Sequence, residues 1–276
     1  MSLRKLQEEL ASLLLEEPSR RSFARGRTRH VRGRGLRGKE ATLLASLDAD
    51  DVAYFAARRA ADRRSALAAD LPRTYQALDE AGKLPAYFRA HPYALEDPLR
   101  EAARAAGWCA RPEGARVPAW IADLAAFEHA HLALLAKPFR AARASRRPRR
   151  APGVVLLRLG HDLAPALSRG RGGRSRATYA ALVRRPGDVE AGEIPALDFH
   201  VLRAADGRRT DAQVLAAAAR RASATEPKAR ASLRRLQRDG WLCPTSPRTR
   251  RAAGSAPTRP RARSSRSAGG RGPRRS

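Results

Sequence analysis

Leucines recur at helical spacing near the start of the chain, at Leu3, Leu6, Leu10, Leu13 and Leu14, which predicts an amphipathic helix over residues 3–17. Pro18 and the Arg/Gly run behind it predict a basic loop over 19–40. A short apolar helix is expected at 41–47. Asp48, Asp50 and Asp51 then supply start signals for a helix over 51–70. Further helices are expected in LPRTYQALDEAG, in PAYFRAHP and over 96–110. Pro118 opens the last helix of this half, 118–136, with a predicted buried stripe of Trp120, Leu124, Phe127, His131 and Leu135.

Past a Pro/Arg-rich stretch at 139–152 the period changes. GVVLLRLG (153–160) and RATYAALVRR (176–185) read as strands, and RPGDVEAG supplies a turn and a short third strand around Val189. Three helices follow. The first, 195–205, ends at Asp206-Gly207. The second begins at Thr210, where Thr-Asp-Ala-Gln spells a capping box. The third has Thr225 before it, Pro227 in its first turn and Gly240 behind it. The expected fold class is mainly α with a small α+β part. A helical domain (1–138) precedes a basic linker (139–152), a winged-helix-like domain with a two- or three-stranded sheet (153–245) and a disordered basic tail (246–276).

Charge changes this picture because of where it lies. The chain carries a formal net charge of +29 over 276 residues. Residues 19–40 hold nine Arg/Lys against one Glu, 139–150 hold six Arg, and 246–276 hold ten Arg. Nearly all the excess therefore sits in Gly-, Pro- and Ser-rich segments. Such composition predicts solvated linkers and a tail, with nucleic acid as a possible partner of the basic segments. No apolar run approaches a membrane span, and the acidic first helix is unlike a secretory signal, so a cytoplasmic protein without membrane contact is expected. The two cysteines, Cys109 and Cys243, lie far apart without metal spacing.

Catalytic signatures are missing from the sequence: no phosphate-binding P-loop, GxGxxG after a strand, GxSxG or HExxH occurs. Glu128 and His131 stand at i, i+3, the spacing of di-iron helix bundles, but no second Glu-x-x-His accompanies them. The expectation is a non-enzyme with no metal and no cofactor.

The order of motifs resembles a known family. LQEELASLLLEEP, DLPRTYQALDEAGKLPAYFRAHP and PAWIADLAAFEHA resemble the N-terminal DNA-binding-type domain of HvfC/BufC-type proteins. The matching marks are Leu71-Pro72, Tyr87 through His91-Pro92, and Asp123-Leu124-Ala125 followed by Glu128. The run from TYAALVRRPGDVEAGEIPALDFHVLRAADG to LRRLQRDGWL is similar to the C-terminal domain of the same proteins and to PqqD-type leader-recognition domains. Where that family has an aromatic-Arg-x-Asn stretch ahead of the Leu-Pro pair, this chain has AARRAADRRS. The resemblance implies a non-catalytic adaptor in ribosomal peptide natural-product (RiPP) maturation. Its implied partners are the leader of a precursor peptide and a TIM-barrel, multinuclear non-haem iron oxidase of the MbnB/HvfB/BufB type.

A leader peptide could add as a strand to the open edge of the small sheet, with pockets between that edge and the third helix. Tyr179, Leu182, Val189, Leu233 and Leu236 are the candidate lining residues. The alternative is a DNA-binding regulator that lays the third helix in the major groove through Lys228, Arg230, Arg234, Arg235 and Arg238. Against it, Gln237 is the only base-reading amide on that helix.

Overall fold

The computed structural model describes residues 3–92, 97–111, 117–169 and 172–246. The tail expected over 246–276 lies, from Pro247 on, outside the described residues. The chain is mainly helical with one small antiparallel sheet: thirteen helices and three strands among the described residues.

The basic run after Pro18 is helical, which corrects the loop expected over 19–40. Helix α1 (Leu3–Leu15) is followed directly by α2 (Glu17–Arg25), α3 (Arg27–Gly33) and α4 (Gly38–Ser46). Pro18 stands in the first turn of α2, where its missing N–H has no partner to lose, so it starts a helix instead of ending one. Phe23, Val31 and Leu36 supply the apolar anchors. With Leu6, Leu13, Leu44 and Val52 they form a separate core. Beneath the arginines a polar bracket is buried: His30 Nε2 meets Glu9 Oε1 at 2.7 Å, and Arg34 Nε approaches the same oxygen at 3.3 Å.

Helix α5 (Ala49–Asp70) starts at Asp48, whose carboxylate accepts the Asp50 N–H. Leu71 ends it and at the same time opens α6 (Pro72–Glu80). Then come α7 (Leu84–Ala90), α8 (Pro98–Cys109) and α9 (Ala119–Leu135). Tyr87 lies fully buried among them, and its hydroxyl donates to Glu101 Oε1 at 2.8 Å. Burial, then Glu101, push the Tyr87 phenol up to about 12. Arg63, in the AARRAADRRS stretch, donates to that carboxylate at 2.9 Å and to the His91 carbonyl at 2.6 Å.

Strands β1 (Val154–His161), β2 (Ser175–Arg184) and β3 (Val189–Glu193) form one sheet in the order β1-β2-β3, with α10 (Ala164–Arg169) between the first two. A tight turn joins β2 to β3 through Pro186 and Gly187, the glycine at φ 80° as a Pro-Gly turn requires. Helices α11 (Ala196–Ala204), α12 (Asp211–Ala222) and α13 (Glu226–Arg238) follow. The Thr210/Gln213 capping box forms as expected.

The sheet is covered on both sides. Ala180, Leu182 and Val189 enter the core built on α5–α9, while Ala181 and Val183 enter the core built on α11–α13. That explains why β2 reads as a continuous apolar run: a strand buried on both faces has no solvent side to mark with polar residues. Helix α9 is buried broadly for a similar reason. Ile121, Leu124, Ala125, Phe127 and Leu134 are buried, whereas Leu135 of the predicted stripe is exposed.

The segment 139–152 contains no regular element but is docked. Its backbone pairs with the segments that follow α11 and α13: Ser145 N–H to Pro244 O, Arg150 N–H to Ala205 O, and Cys243 N–H to Arg149 O.

Candidate functional site

Two family-like marks of the first half turn out to be fasteners. Glu128, on α9, accepts the N–H groups of Arg73 and Thr74 at 3.0 and 2.8 Å. It thereby caps the start of α6, supplying from a distant helix the acceptor that a side chain at the helix start normally provides. Its carboxylate is committed to this bond pair, and the i, i+3 spacing to His131 belongs to helix packing. Asp123 Oδ2, five residues earlier, accepts the Gly160 N–H at 3.0 Å and meets His161 Nδ1 at 2.7 Å. One turn of α9 thus grips α6 and the next grips β1. Among the described residues, no group of three or more His, Cys, Asp or Glu is placed to hold a metal ion.

The five residues expected to line a peptide groove are not brought together. Leu182 and Val189 face α5–α9; Leu233 and Leu236 face the sheet and helices on the opposite side. All four are buried, at 0 to 6% exposure. The period of two explains the split, because Leu182 and its neighbours Ala181 and Val183 necessarily point to opposite faces. Tyr179 is half-buried, its ring against Phe199 and His200 at 4.6 and 5.6 Å between centroids.

What the fold does present is an open strand edge. In an antiparallel ladder alternate residues turn their backbone groups toward one neighbour. Ile194 N–H bonds to Tyr179 O, and Arg185 and Asp188 exchange both bonds across the turn. By that parity Val189, Ala191 and Glu193 aim their N–H and C=O groups away from β2. The Val189 N–H is taken by Asp188 Oδ1 at 2.7 Å. The outward groups of Ala191 and Glu193 have no protein partner among the described residues. The opposite edge of the sheet, on β1, is guarded at both ends, by Ala151 O on the Val154 N–H and by Asp123 on the Gly160 N–H.

Beside the β3 edge, Glu190, Gly192 and Ile194 turn toward α11–α13. A Cβ built on Gly192 would meet nothing within 4 Å, so the space there is open. Arg185 bridges the turn to the third helix, donating to Glu190 at 2.7 Å and to the Asp239 carbonyl at 2.7 Å. It ties the β2–β3 turn to the C-terminal end of α13. No spacing rule singles out Arg185, since an arginine in a tight turn usually faces water.

The basic face of α13 is partly spent. Arg235 donates to the buried Asp198 carboxylate, which Ser232 also supports. Arg230 pairs with Glu226 at 2.7 Å. Lys228, Arg234 and Arg238 remain exposed and outside any ion pair among the described residues.

Both cysteines are buried. Burial pushes the Cys109 thiol up to about 12 and raises that of Cys243, which keeps them protonated and poor nucleophiles. No helix among the described residues is long and apolar enough to cross a membrane. Comparison of the chain with protein-family models and with curated proteins finds no match.

Proposed function

We propose that this chain is a non-catalytic partner protein in ribosomal peptide maturation, working in the cytoplasm. In this reading it holds the leader of a precursor peptide as an added strand on β3 and presents the rest of the precursor to a TIM-barrel, multinuclear iron oxidase. The observation that carries the reading is the unpaired outer edge of β3, with open space beside it at Gly192. Main-chain hydrogen bonds at Ala191 and Glu193 would supply affinity, and the space at Gly192 would take a leader side chain. The five residues named from the sequence then act as the frame of this edge, not as its lining.

The test is a fluorescence titration with a synthetic leader of the kind of precursor peptide that HvfC/BufC-type proteins serve. Ala191→Pro removes an outward N–H, and proline is tolerated on an edge strand where that group faces away from the sheet. It is expected to weaken leader binding by about tenfold, a loss of the order of one hydrogen bond net of solvation. Ala191→Val should bind as the wild type does. Gly192→Trp should fill the open space beside the edge and block binding. Binding untouched by Ala191→Pro and Gly192→Trp would reject strand addition at β3. Tight, sequence-selective binding of duplex DNA that needs Lys228, Arg234 and Arg238 would instead identify a regulator.

A further inference from the structure

The docked segment 139–152 sets its arginines beside those of α11 and α12. A surface depression of about 1010 Å³ is lined by Arg140, Arg143, Arg149 and Arg150. A second, of about 830 Å³, is lined by Arg203, Arg209, Arg220 and Arg221. The two meet at Asp206, which lines both. They are stitched together by backbone: Arg150 N–H to Ala205 O at 3.0 Å, Gly207 N–H to Pro148 O at 2.9 Å, and a bridge pairing Arg149 with Asp206. Of the eight arginines only Arg209 is in an ion pair among the described residues, with Asp206 at 3.6 Å.

We propose that this continuous arginine band binds the phosphate backbone of double-stranded nucleic acid without reading its sequence. Charge complementarity argues for a densely and regularly charged partner, since a duplex carries one negative charge per about 1.7 Å of axis. The lining includes no Phe, Tyr or Trp on which unpaired bases could stack, which disfavours single strands. Its only side-chain amide, Gln213, is engaged in the cap of α12, so no amide is free for bidentate reading of an adenine edge. The cationic field is felt inside the patch. Burial first, then Arg221, Arg203 and Arg158, hold the His200 imidazole below its ordinary range. The band is separate from the β3 edge and does not depend on the leader-binding reading.

The experiment is an anisotropy titration of the full chain with a labelled short duplex of scrambled sequence, between about 50 and about 200 mM salt. The tail is present in every sample, so its contribution cancels. The triple variant Arg203→Ala, Arg220→Ala, Arg221→Ala is expected to weaken binding by about tenfold and to reduce the slope of log K against log salt by about 2 to 3. The matched triple Lys228→Ala, Arg234→Ala, Arg238→Ala removes the same charge elsewhere and should change binding less than about threefold. A reversed pair, Arg220→Glu with Arg221→Glu, should reproduce the loss from fewer sites, and a second duplex sequence should bind equally. Equal losses from both triples would reduce the effect to net charge and overturn the proposal. So would a larger loss from the α13 triple, or a poly-glutamate chain of equal charge competing as well as the duplex.

Discussion

The arginine-rich segment 19–40 is held by its side chains, whereas the arginine-rich segment 139–152 is held by its backbone. In the first, Phe23 and Val31 on two short helices and Leu36 in the connection after them turn inward, and the arginines cover the outside. The second has few large apolar residues, and Phe139 among them is exposed. Its N–H and C=O groups instead pair with residues 205–207 and 241–246. A run of like charge does not by itself decide between order and disorder. Order follows when the run either carries enough apolar surface to bury or lies beside unpaired backbone that needs a partner.

The contrast predicts unequal responses to mutation. Phe23→Ala should have the largest effect. The ring is 1% exposed, and removing it should cost about 3–5 kcal/mol, seen as early loss of helical signal in denaturant and as fast amide exchange confined to α1–α4. A small effect would mean that this segment, too, is held mainly by its backbone. Glu9→Gln comes next. It weakens the buried bracket to His30 and Arg34 and should cost about 1–3 kcal/mol, measured by the same unfolding curve. Gly207→Val strikes the backbone-held segment. Gly207 has φ 81°, and a Cβ there would press on the Arg149 side chain at 3.3 Å. Strain of about 1–2 kcal/mol is expected, with faster exchange at Gly207 and Arg150 while α1–α4 stay protected. The smallest effect belongs to Arg149→Ala, within about 0.5 kcal/mol by thermal unfolding, because the pairing uses the main chain of Arg149 and not its guanidinium.

The same distinction bears on function. Had 139–152 been a free tether, its arginines would be a diffuse cloud. Docked, they stand in fixed positions against α11 and α12 and form one surface with them. Likewise the sheet is not an isolated wing. It lies between α9 and α11–α13 and is fastened to α9 by Asp123.

Local signals were enough for much of the architecture. The proline and aspartate start signals, the Thr210/Gln213 box, the apolar period of three to four and the switch to β-rich runs at 153 identified most helices and all three strands near their observed bounds. These are properties of a few neighbouring residues, so a linear sequence carries them. The fate of the basic runs was not legible, because it depends on Leu13, Leu44 and Asp206, which are distant in the chain. The candidate groove failed on the same ground. Leu182, Val189, Leu233 and Leu236 read equally well as pocket or core, and only the presence of α9 behind the sheet decides for core. Glu128 looked like half of a metal motif until α6 arrived to take both its oxygens. Sequence alone determined which segments are helix or strand, because backbone preference and apolar period are local. Tertiary structure decided which edges, charges and carboxylates are left free, because that depends on what each one meets across the fold.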